Sequence, residues 1–201
     1  MILSDKMIKA AMATGDIVIE PFDLAALGSN SYDVHLGPLL RTYRVEYETV
    51  RRAFPDDHYG SPPSVRKEPA PLDCKTERAT VDHPIPVEGY VLVPGTLYLG
   101  STIEYTETHK YIPYFDGKSS IGRLGITIHC TAGRGDVGFC NHWTMEIHVV
   151  QPVRVYAGMP VGQITYALTG DVDVPYNKKP GAKYNEREPH PQASRMWRNF
   201  K

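Results

Sequence analysis

The amino-acid sequence predicts a mainly β protein, built as a barrel or a sandwich of short strands with one short helix near its beginning. Two segments, "YVLVPGTLYLGSTIEY" (90–105) and "VRVYAGMPVGQITYAL" (153–168), are rich in β-branched and aromatic residues, and Gly or Pro-Gly interrupts each at a turn position. A third segment, "WTMEIHVV" (143–150), alternates apolar with polar residues as a half-buried strand does. The 17 glycines and 17 prolines favour many turns between such strands.

The helix is predicted over residues 4–14. Ser4 can cap its first turn and Gly15 can end its last turn. The apolar residues expected to share one face of this helix are Met7, Ile8 and Ala11.

Two strands follow the helix, and two later segments show no regular period. "DIVIEPF" (16–22) is typical of a strand, and "SYDVHLG" (31–37) alternates apolar with polar residues. Residues 45–73 are polar and rich in proline, which predicts a long loop or excursion. Residues 175–201 carry seven Lys or Arg against two Glu, which predicts a flexible, basic C-terminal tail.

Length and composition exclude several classes of protein. A chain of 201 residues with 41% hydrophobic content predicts one domain spanning 1–201. The net charge of -1 gives no overall positive field, so no nucleic-acid partner is expected and any polyanion site must be local. The sequence has no run of eighteen apolar residues and its polar N-terminus is unlike a signal peptide, so we expect no membrane association and a cytoplasmic location.

The cysteine and histidine patterns argue against zinc and against disulfides. The three cysteines form no C-x-x-C pair, so reduced and mostly buried thiols are expected at Cys74, Cys130 and Cys140. Zinc nucleobase deaminases use an H-x-E element followed by P-C-x-x-C. Here Glu146 precedes His148 and no such cysteine pair follows, so no catalytic zinc is predicted.

The segment "DGKSSIGR" (116–123) is a candidate phosphate site. Ser119 and Ser120 can cap a short helical turn, which would direct backbone N–H groups and two hydroxyls outward beside Lys118 and Arg123. The alternative is a capped turn that carries two solvated cations, because short patterns of this kind are common.

Two acidic residues are further candidates for the site. Asp136 lies in "HCTAGRGDVGF" (129–139), whose small residues would let a planar ring approach the backbone; alternatively it is the turn residue of a glycine-rich hairpin. Glu146 lies within the predicted strand 143–150, opposite a fully apolar row. It is a candidate for proton transfer if it is sheltered, or a solvent-facing side chain if it is not.

Seven stretches of the sequence resemble those of dCTP deaminases, a family of the dUTPase-like superfamily, in the same order along the chain. They are "MILSDKMIKAAMATGDIVIEPF", "SYDVHLG", "DGKSSIGRLGITIHCTAG", "DVGF", "MEI", "AGMPVGQI" and "PYNKKPGAKY". The resemblance covers nearly the whole chain except about residues 45–73, and the block around "GKSSIGRLG" is its most specific part.

This resemblance implies a fold, an assembly and a reaction. The fold would be a distorted, mostly antiparallel, jelly-roll-like β-barrel, assembled as a homotrimer with active sites between subunits. The reaction would convert dCTP to dUTP and ammonia without zinc, with Mg2+ held by the phosphates of the nucleotide. The nucleotide dTTP would be a feedback inhibitor, and neither nucleic acid nor membrane would be a partner.

The resemblance also implies roles for individual residues. Glu146 matches the family's catalytic glutamate, while His129, Cys130 and Ala132 would position the attacking water. Asp136 matches an acid near the sugar, and Thr144 and Met145 would border the base. The remaining substrate-binding positions implied by the resemblance are Lys118, Ser119, Ser120, Ile121, Gly122, Arg123, Gln163, Tyr176 and Lys183.

Some positions depart from the family pattern. Val149 stands where the family usually has Asn, Asn141 where it usually has Gly, and Arg187 where it has Gln. These departures concern base recognition and closure of the tail, and they leave a modified cytosine nucleotide open as the substrate.

The sequence leaves the products open. Gly133 and Gln163 resemble bifunctional members, which go on to form dUMP and pyrophosphate, whereas Arg134 resembles single-function deaminases. The balance favours deamination alone. A bifunctional enzyme, a dUTP pyrophosphatase and a catalytically inactive nucleotide sensor are the alternatives.

Overall fold

The computed structural model describes residues 1–52 and 64–201. Its described residues divide into two compact units where the sequence predicts one domain. The first unit comprises residues 1–42 and 82–193, and the second comprises residues 43–81 and 194–201. Among the described residues, no helix is long and apolar enough to cross a membrane.

Strands dominate the described chain. The helices are α1 (Asp5–Ala13) and the one-turn α2 (Ser119–Gly122), and 3₁₀ turns cover Leu24–Ala26, Tyr176–Lys178 and Met196–Phe200. The strands are β1 (Ile17–Glu20), β2 (Tyr32–Tyr43), β3 (Tyr47–Arg52), β4 (Ser64–Pro69), β5 (Thr80–Pro84), β6 (Tyr90–Leu92), β7 (Tyr98–Thr108), β8 (Tyr111–Gly117), β9 (Ile126–Thr127), β10 (Cys140–Val149), β11 (Val153–Val155) and β12 (Pro160–Leu168).

The first unit is a nearly closed antiparallel barrel, as the sequence predicts. Its main sheet runs in the order β8-β12-β2-β7-β10-β9, with β1 added beside β7 and β5 beside β2. The short strands β6 and β11 pair with each other in a separate ladder. Each belongs to one of the two β-rich segments, 90–105 and 153–168, from which the mainly β fold is predicted.

The side-chain alternation predicted for β2 and β10 is confirmed. One face of each strand is buried, with at most 7% of any of these side chains exposed: Tyr32, Val34, Leu36, Trp143, Met145, Ile147 and Val149. Because strand side chains point to opposite faces in turn, the polar residues between them point out of this core. Full burial of each large apolar side chain contributes roughly 1.5–3 kcal/mol.

Helix α1 begins and ends near its predicted positions. The Ser4 hydroxyl accepts a hydrogen bond from the Met7 N–H, and Gly15 follows the helix with a φ of 74°, which a residue with a side chain rarely adopts. Ile8 and Ala11 are buried, but Met7, predicted on the same face, is 37% exposed. The buried face of α1 is therefore narrower than predicted.

The prediction of a loop at residues 45–73 is wrong for part of the segment. Strands β3 and β4 pair antiparallel from Tyr47 opposite Pro69 to Arg52 opposite Ser64. Charged residues are frequent along both strands, so they lack the apolar alternation that would reveal them, and backbone hydrogen bonds define the ladder. Residues 53–63 of the predicted loop lie outside the described residues.

Candidate active site

Glu146 is held in place from the strand it lies on and from the loop beside it. It occupies β10, where alternation directs it away from the buried Met145. Its Oε2 atom accepts a hydrogen bond of 2.8 Å from the Cys130 N–H, and its own N–H donates to the Ile128 carbonyl at 2.8 Å. The side chain is half-buried, so it is neither a freely solvated carboxylate nor a core residue.

The loop at residues 129–133 packs tightly beside this glutamate. The Phe115 N–H donates to the Gly133 carbonyl at 2.6 Å, and His129 Nε2 lies 3.6 Å from Asp116 Oδ1. A Cβ atom at Gly133 would lie 2.9 Å from the Phe115 carbonyl oxygen and 3.1 Å from His129 Nε2. Because those distances are too short for most Cβ contacts, position 133 favours glycine.

The three cysteines are free, as predicted, but they are more exposed than predicted. Cys74 and Cys130 are exposed and Cys140 is half-buried. Partial desolvation, and then the negative charge of Glu146, raise the pKa of the Cys130 thiol. The thiol next to the candidate catalytic carboxylate is therefore protonated at neutral pH.

The predicted phosphate segment forms the expected helical turn, although the cap differs from the prediction. Lys118, and not a serine, occupies the N-cap position, and it makes no side-chain cap hydrogen bond. Ser119 and Ser120 are the first helical residues and are exposed, as are Gly122 and Arg123. Two hydroxyls and a guanidinium therefore reach the surface from one short turn.

A row of polar residues links this turn with the loop at 129–133. Gln163 on β12 lies opposite Asp33 on one side and opposite Asp116 on the other. The Lys118 ammonium pairs with the Asp33 carboxylate, while Asp116 lies beside His129. Strand register and two ion pairs thus place Lys118, Gln163 and His129 in one row, and the backbone of Cys130, next to His129, bonds to Glu146.

Asp136 lies in a separate cleft of about 250 Å³ within the first unit. Tyr176 lines the same cleft, and its backbone N–H donates to the Val137 carbonyl at 2.8 Å. The Tyr176 hydroxyl accepts hydrogen bonds from the N–H groups of Lys183 and Tyr184, at 3.2 and 3.1 Å. The predicted tail residues Tyr176 and Lys183 are therefore joined to each other, and Arg134 also lines this cleft.

Two predicted substrate-binding side chains point into the core. Met145 is fully buried and Ile121 is 5% exposed, so neither side chain is available to a nucleotide in this structure. Val149 is also buried, at 4% exposure. Positions 146 and 149 are an odd number of residues apart on β10, so a side chain at 149 faces away from Glu146.

The sequence did not reveal the role of Asn141, which attaches a C-terminal segment to the barrel. Asn141 is fully buried, and its Nδ2 donates to the Tyr184 carbonyl at 3.1 Å. Its Oδ1 accepts from the N–H groups of His142 and Glu188, at 2.8 and 3.1 Å. Residues 184–192, here called the strap, are thus fixed at two points by one side chain.

Three further hydrogen bonds hold the strap. The Ser101 hydroxyl donates to the Pro189 carbonyl at 2.7 Å, and Arg41 donates to the Pro191 carbonyl at 2.6 Å. The Thr144 hydroxyl, predicted to border the base, accepts from the Gln192 N–H at 3.1 Å. Part of the predicted flexible tail therefore runs along β7 and β10.

Comparison with known proteins identifies the family. A family model described as dCTP deaminase-like matches residues 2–169. The chain belongs to this family. The dCTP deaminase-like fold is also found in a solved structure, the 2'-deoxycytidine 5'-triphosphate deaminase from Agrobacterium tumefaciens, with a TM-score of 0.54 and 21% identity. That match covers 84% of this chain and 48% of the Agrobacterium chain, and it supports the fold alone.

Curated dCTP deaminase-like relatives match the chain over its full length. A protein of Clostridium acetobutylicum named "dCTP deaminase, dUMP-forming" is 42% identical over 200 residues, which cover 100% of this chain and 99% of the relative. One of Cytophaga hutchinsonii with the same name is 40% identical over the same shares. These alignments run through residues 45–73, which the sequence resemblance had excluded. The prediction that the chain is an enzyme is confirmed.

Proposed function

We propose that this chain converts dCTP to dUMP by two hydrolytic steps, as the alternative reading of the sequence holds. Deamination consumes one water and releases ammonia; cleavage of the resulting dUTP consumes a second water and releases pyrophosphate. The names of the two relatives that are about 40% identical support this pair of products over dUTP alone. Gly133 and Gln163 support it too, because both resemble the residues of bifunctional members at those positions.

The observation that carries the deamination step is the hydrogen bond between the Glu146 carboxylate and the Cys130 N–H. A carboxylate fixed in this way keeps one oxygen free to take a proton from a water molecule. That water attacks C4 of the cytosine ring and forms a tetrahedral intermediate. Glu146 passes that proton to N3 of the ring and then carries the proton of the new C4 hydroxyl to the amino group, so that the C4–N bond breaks, ammonia leaves and the C4 carbonyl forms.

Binding of the triphosphate is proposed for the turn at Lys118–Arg123. Its two exposed hydroxyls and the Arg123 guanidinium are donors suited to phosphate oxygens. Lys118 pairs with Asp33 in this structure, so phosphate would compete with that carboxylate for the ammonium. Mg2+ would arrive on the triphosphate as part of the substrate, which is how this ion is usually held in nucleotide sites.

We also propose the homotrimer with shared sites, and dTTP as an inhibitor that competes at the same site. The exposure of Ser119, Ser120 and Arg123 fits a site that a neighbouring subunit completes. A mixing experiment tests this arrangement. Subunits of the two inactive variants, Glu146→Gln and Arg123→Ala, are mixed, unfolded together and refolded. If each site takes Glu146 from one chain and Arg123 from another, the mixture should regain part of the activity. No regain in mixtures that do form trimers would contradict shared sites.

The test of the function is an incubation of the purified protein with dCTP and Mg2+, followed by separation of nucleotides over time. We expect dUMP, pyrophosphate and ammonia in equal amounts with little free dUTP. Accumulation of dUTP would contradict the second step. Unchanged dCTP would contradict deamination and turn attention to modified cytosine nucleotides or to a nucleotide sensor.

The variant that tests the role of Glu146 is Glu146→Gln, because its side-chain amide keeps an oxygen that can accept the hydrogen bond from the Cys130 N–H. General acid–base catalysis typically contributes 10²–10⁴-fold, so ammonia release should fall by roughly that factor. The affinity for dCTP should change little, because the substitution preserves the shape of the site. An unaltered rate in this variant would exclude Glu146 as the base.

A further inference from the structure

Three side chains with metal-binding atoms converge where β7 ends and β10 begins. Cys140 lies directly opposite Glu107 in the ladder between these strands. His109 comes two residues after Glu107, which places it on the same side of the chain. A carboxylate oxygen, an imidazole nitrogen and a sulfur atom from these residues all lie within 4.8 Å of one another. None of the three residues has a role in the proposed reaction.

We propose that Glu107, His109 and Cys140 bind a divalent transition-metal ion, with Zn2+ as the favoured ion. Zinc binds thiolate, imidazole and carboxylate ligands, and three protein ligands leave a fourth position for water. Around a tetrahedral ion the ligand atoms lie roughly 3.5 Å apart. Atoms at the 4.8 Å limit would therefore move closer by about 1 Å, while His109 Nε2 and Glu107 Oε2, now 2.8 Å apart, would separate slightly. His109 is exposed and can make that movement without disturbing the core.

The carboxylate of this group is already oriented and ionised. The Tyr105 hydroxyl donates to Glu107 Oε1 at 2.7 Å, and His109 Nε2 lies 2.8 Å from Oε2. Burial by itself raises the pKa of Glu107, but these two hydrogen bonds, together with the positive charges of His109 and Arg187, hold that pKa below its usual range. Metal binding would replace the bond from His109 and keep the bond from Tyr105, which fixes the carboxylate from behind as supporting groups do in metal sites.

The thiol has a partner that suits a metal-bound sulfur. Asn177 Nδ2 lies 3.9 Å from Cys140 Sγ. The Oδ1 atom of Asn177 is buried and has no hydrogen-bond partner among the described residues. A water in the fourth metal position is the kind of donor that this oxygen lacks.

In the metal-free chain the thiol is protonated. Burial chiefly, and then the charge of Glu107, raise the pKa of Cys140 to about 11. Binding of Zn2+ would therefore release one proton from the thiol at neutral pH. The nearby Arg187 guanidinium is paired with Glu20 at 2.5 Å, which offsets its repulsion of a bound cation.

The sequence pattern alone could not predict this site. Zinc sites are recognised in sequences by closely spaced pairs such as C-x-x-C, which this chain lacks. Here the pairing of β7 with β10 brings Cys140 to the other two residues. The sequence predicts no zinc, so the site proposed here departs from that expectation, and it is made of residues that have no role in the proposed reaction.

Titration with Co2+ tests the proposal, because Co2+ takes the same ligands as zinc and its bond to a thiolate absorbs in the near ultraviolet. The full-length protein, stripped of metal and free of nucleotide, should develop this band up to one equivalent per chain, and Zn2+ should abolish it. The band should be lost in Cys140→Ser and kept in Cys74→Ser and Cys130→Ser. His109→Ala should weaken binding at least tenfold. No band, or a band that persists in Cys140→Ser, would overturn the proposal.

A second measurement uses the unaltered protein and so does not depend on the folding of a variant. Alkylation of the thiols, mapped by mass spectrometry, should slow at least tenfold at Cys140 when Zn2+ is added and remain unchanged at Cys74. Equal rates at Cys140 with and without Zn2+ would also overturn the proposal. Mg2+, which prefers oxygen ligands, should give no protection.

Discussion

At the scale of single residues, Asn141 departs from the family pattern and has a structural role. A buried amide is costly unless its polar atoms are hydrogen-bonded. Asn141 meets this requirement with backbone groups, two of which belong to the strap. A glycine at this position could hold neither Tyr184 nor Glu188.

We predict that Asn141→Ala lowers the free energy of unfolding by about 2–3 kcal/mol, because hydrogen bonds of about 1 kcal/mol each are lost at a buried site. The same change should loosen the strap between Tyr184 and Glu188, so trypsin should cleave at Arg187 faster. Urea unfolding and limited proteolysis measure these two effects. The exposed Asn30→Ala is the matched control and should change neither.

Arg41 and Asp82 give a residue-scale prediction about pH. Arg41 binds both oxygens of Asp82, at 2.6 and 3.1 Å, and this hydrogen bonding holds the pKa of Asp82 below its ordinary value of 3.8. The carboxylate therefore contributes stability above pH 3.8, and the contribution is lost as pH falls through the lower, folded-state pKa.

Asp82→Asn should accordingly lower the free energy of unfolding at pH 7, and the difference from the unaltered protein should vanish at more acid pH. Since Asp82 is 49% exposed, solvent screening limits the effect to less than about 1 kcal/mol. Urea unfolding across pH 2.5–7 measures it. A difference that persists at the acid end would contradict the assignment.

At the scale of elements, β10 shows which parts of the fold a sequence can predict. One face of β10 is buried and the other is polar, so the alternation from Trp143 to Val149 was sufficient to predict the strand and the side on which Glu146 lies. Strands β3 and β4 lack this alternation, and the strap is held mainly through its own backbone. Neither the β3–β4 pair nor the strap therefore shows a regular alternation of apolar and polar residues in the sequence.

The same alternation leads to a prediction about Val149. Restoring the family residue with Val149→Asn should not improve recognition of the base, because position 149 faces the core and is 4% exposed. It should instead lower the free energy of unfolding by about 2–4 kcal/mol, since it buries an amide without partners. Val150→Asn, at a position that is 76% exposed, is the matched control. A variant with tighter dCTP binding and normal stability would contradict this view.

At the scale of the whole molecule, the sequence predicts which residues are candidates for the site but does not predict how the fold arranges them. The residue types made Lys118–Arg123 and Glu146 candidates for phosphate binding and proton transfer, and the family resemblance added Asp136 as a candidate near the sugar. The burial of Met145 and Ile121, and the position of Asp136 in a separate cleft, follow from strand pairing that the sequence does not display.

The two units give a prediction at this scale. The Arg44 N–H donates to the Ala79 carbonyl at 2.9 Å, so the chain enters and leaves the second unit at adjacent points. A variant that replaces residues 45–78 with a short Gly-Ser linker and ends at Ala193 should keep the cooperative unfolding of the barrel. Ending the same variant at Lys183 removes the strap and should cost at least about 2 kcal/mol. Equal stability of the two variants, measured by thermal unfolding, would contradict the role given to the strap.

The pairing of the first residues with β12 has a consequence for synthesis of the protein. The Leu3 N–H donates to the Tyr166 carbonyl at 2.8 Å, and the Leu168 N–H donates to the Met1 carbonyl at 3.0 Å. While the ribosome is still making the middle of the chain, the first residues have no partner, and unpaired strand edges invite aggregation. The barrel can close only after residue 168 has left the ribosome, so we expect the nascent chain to be exposed to aggregation until that point.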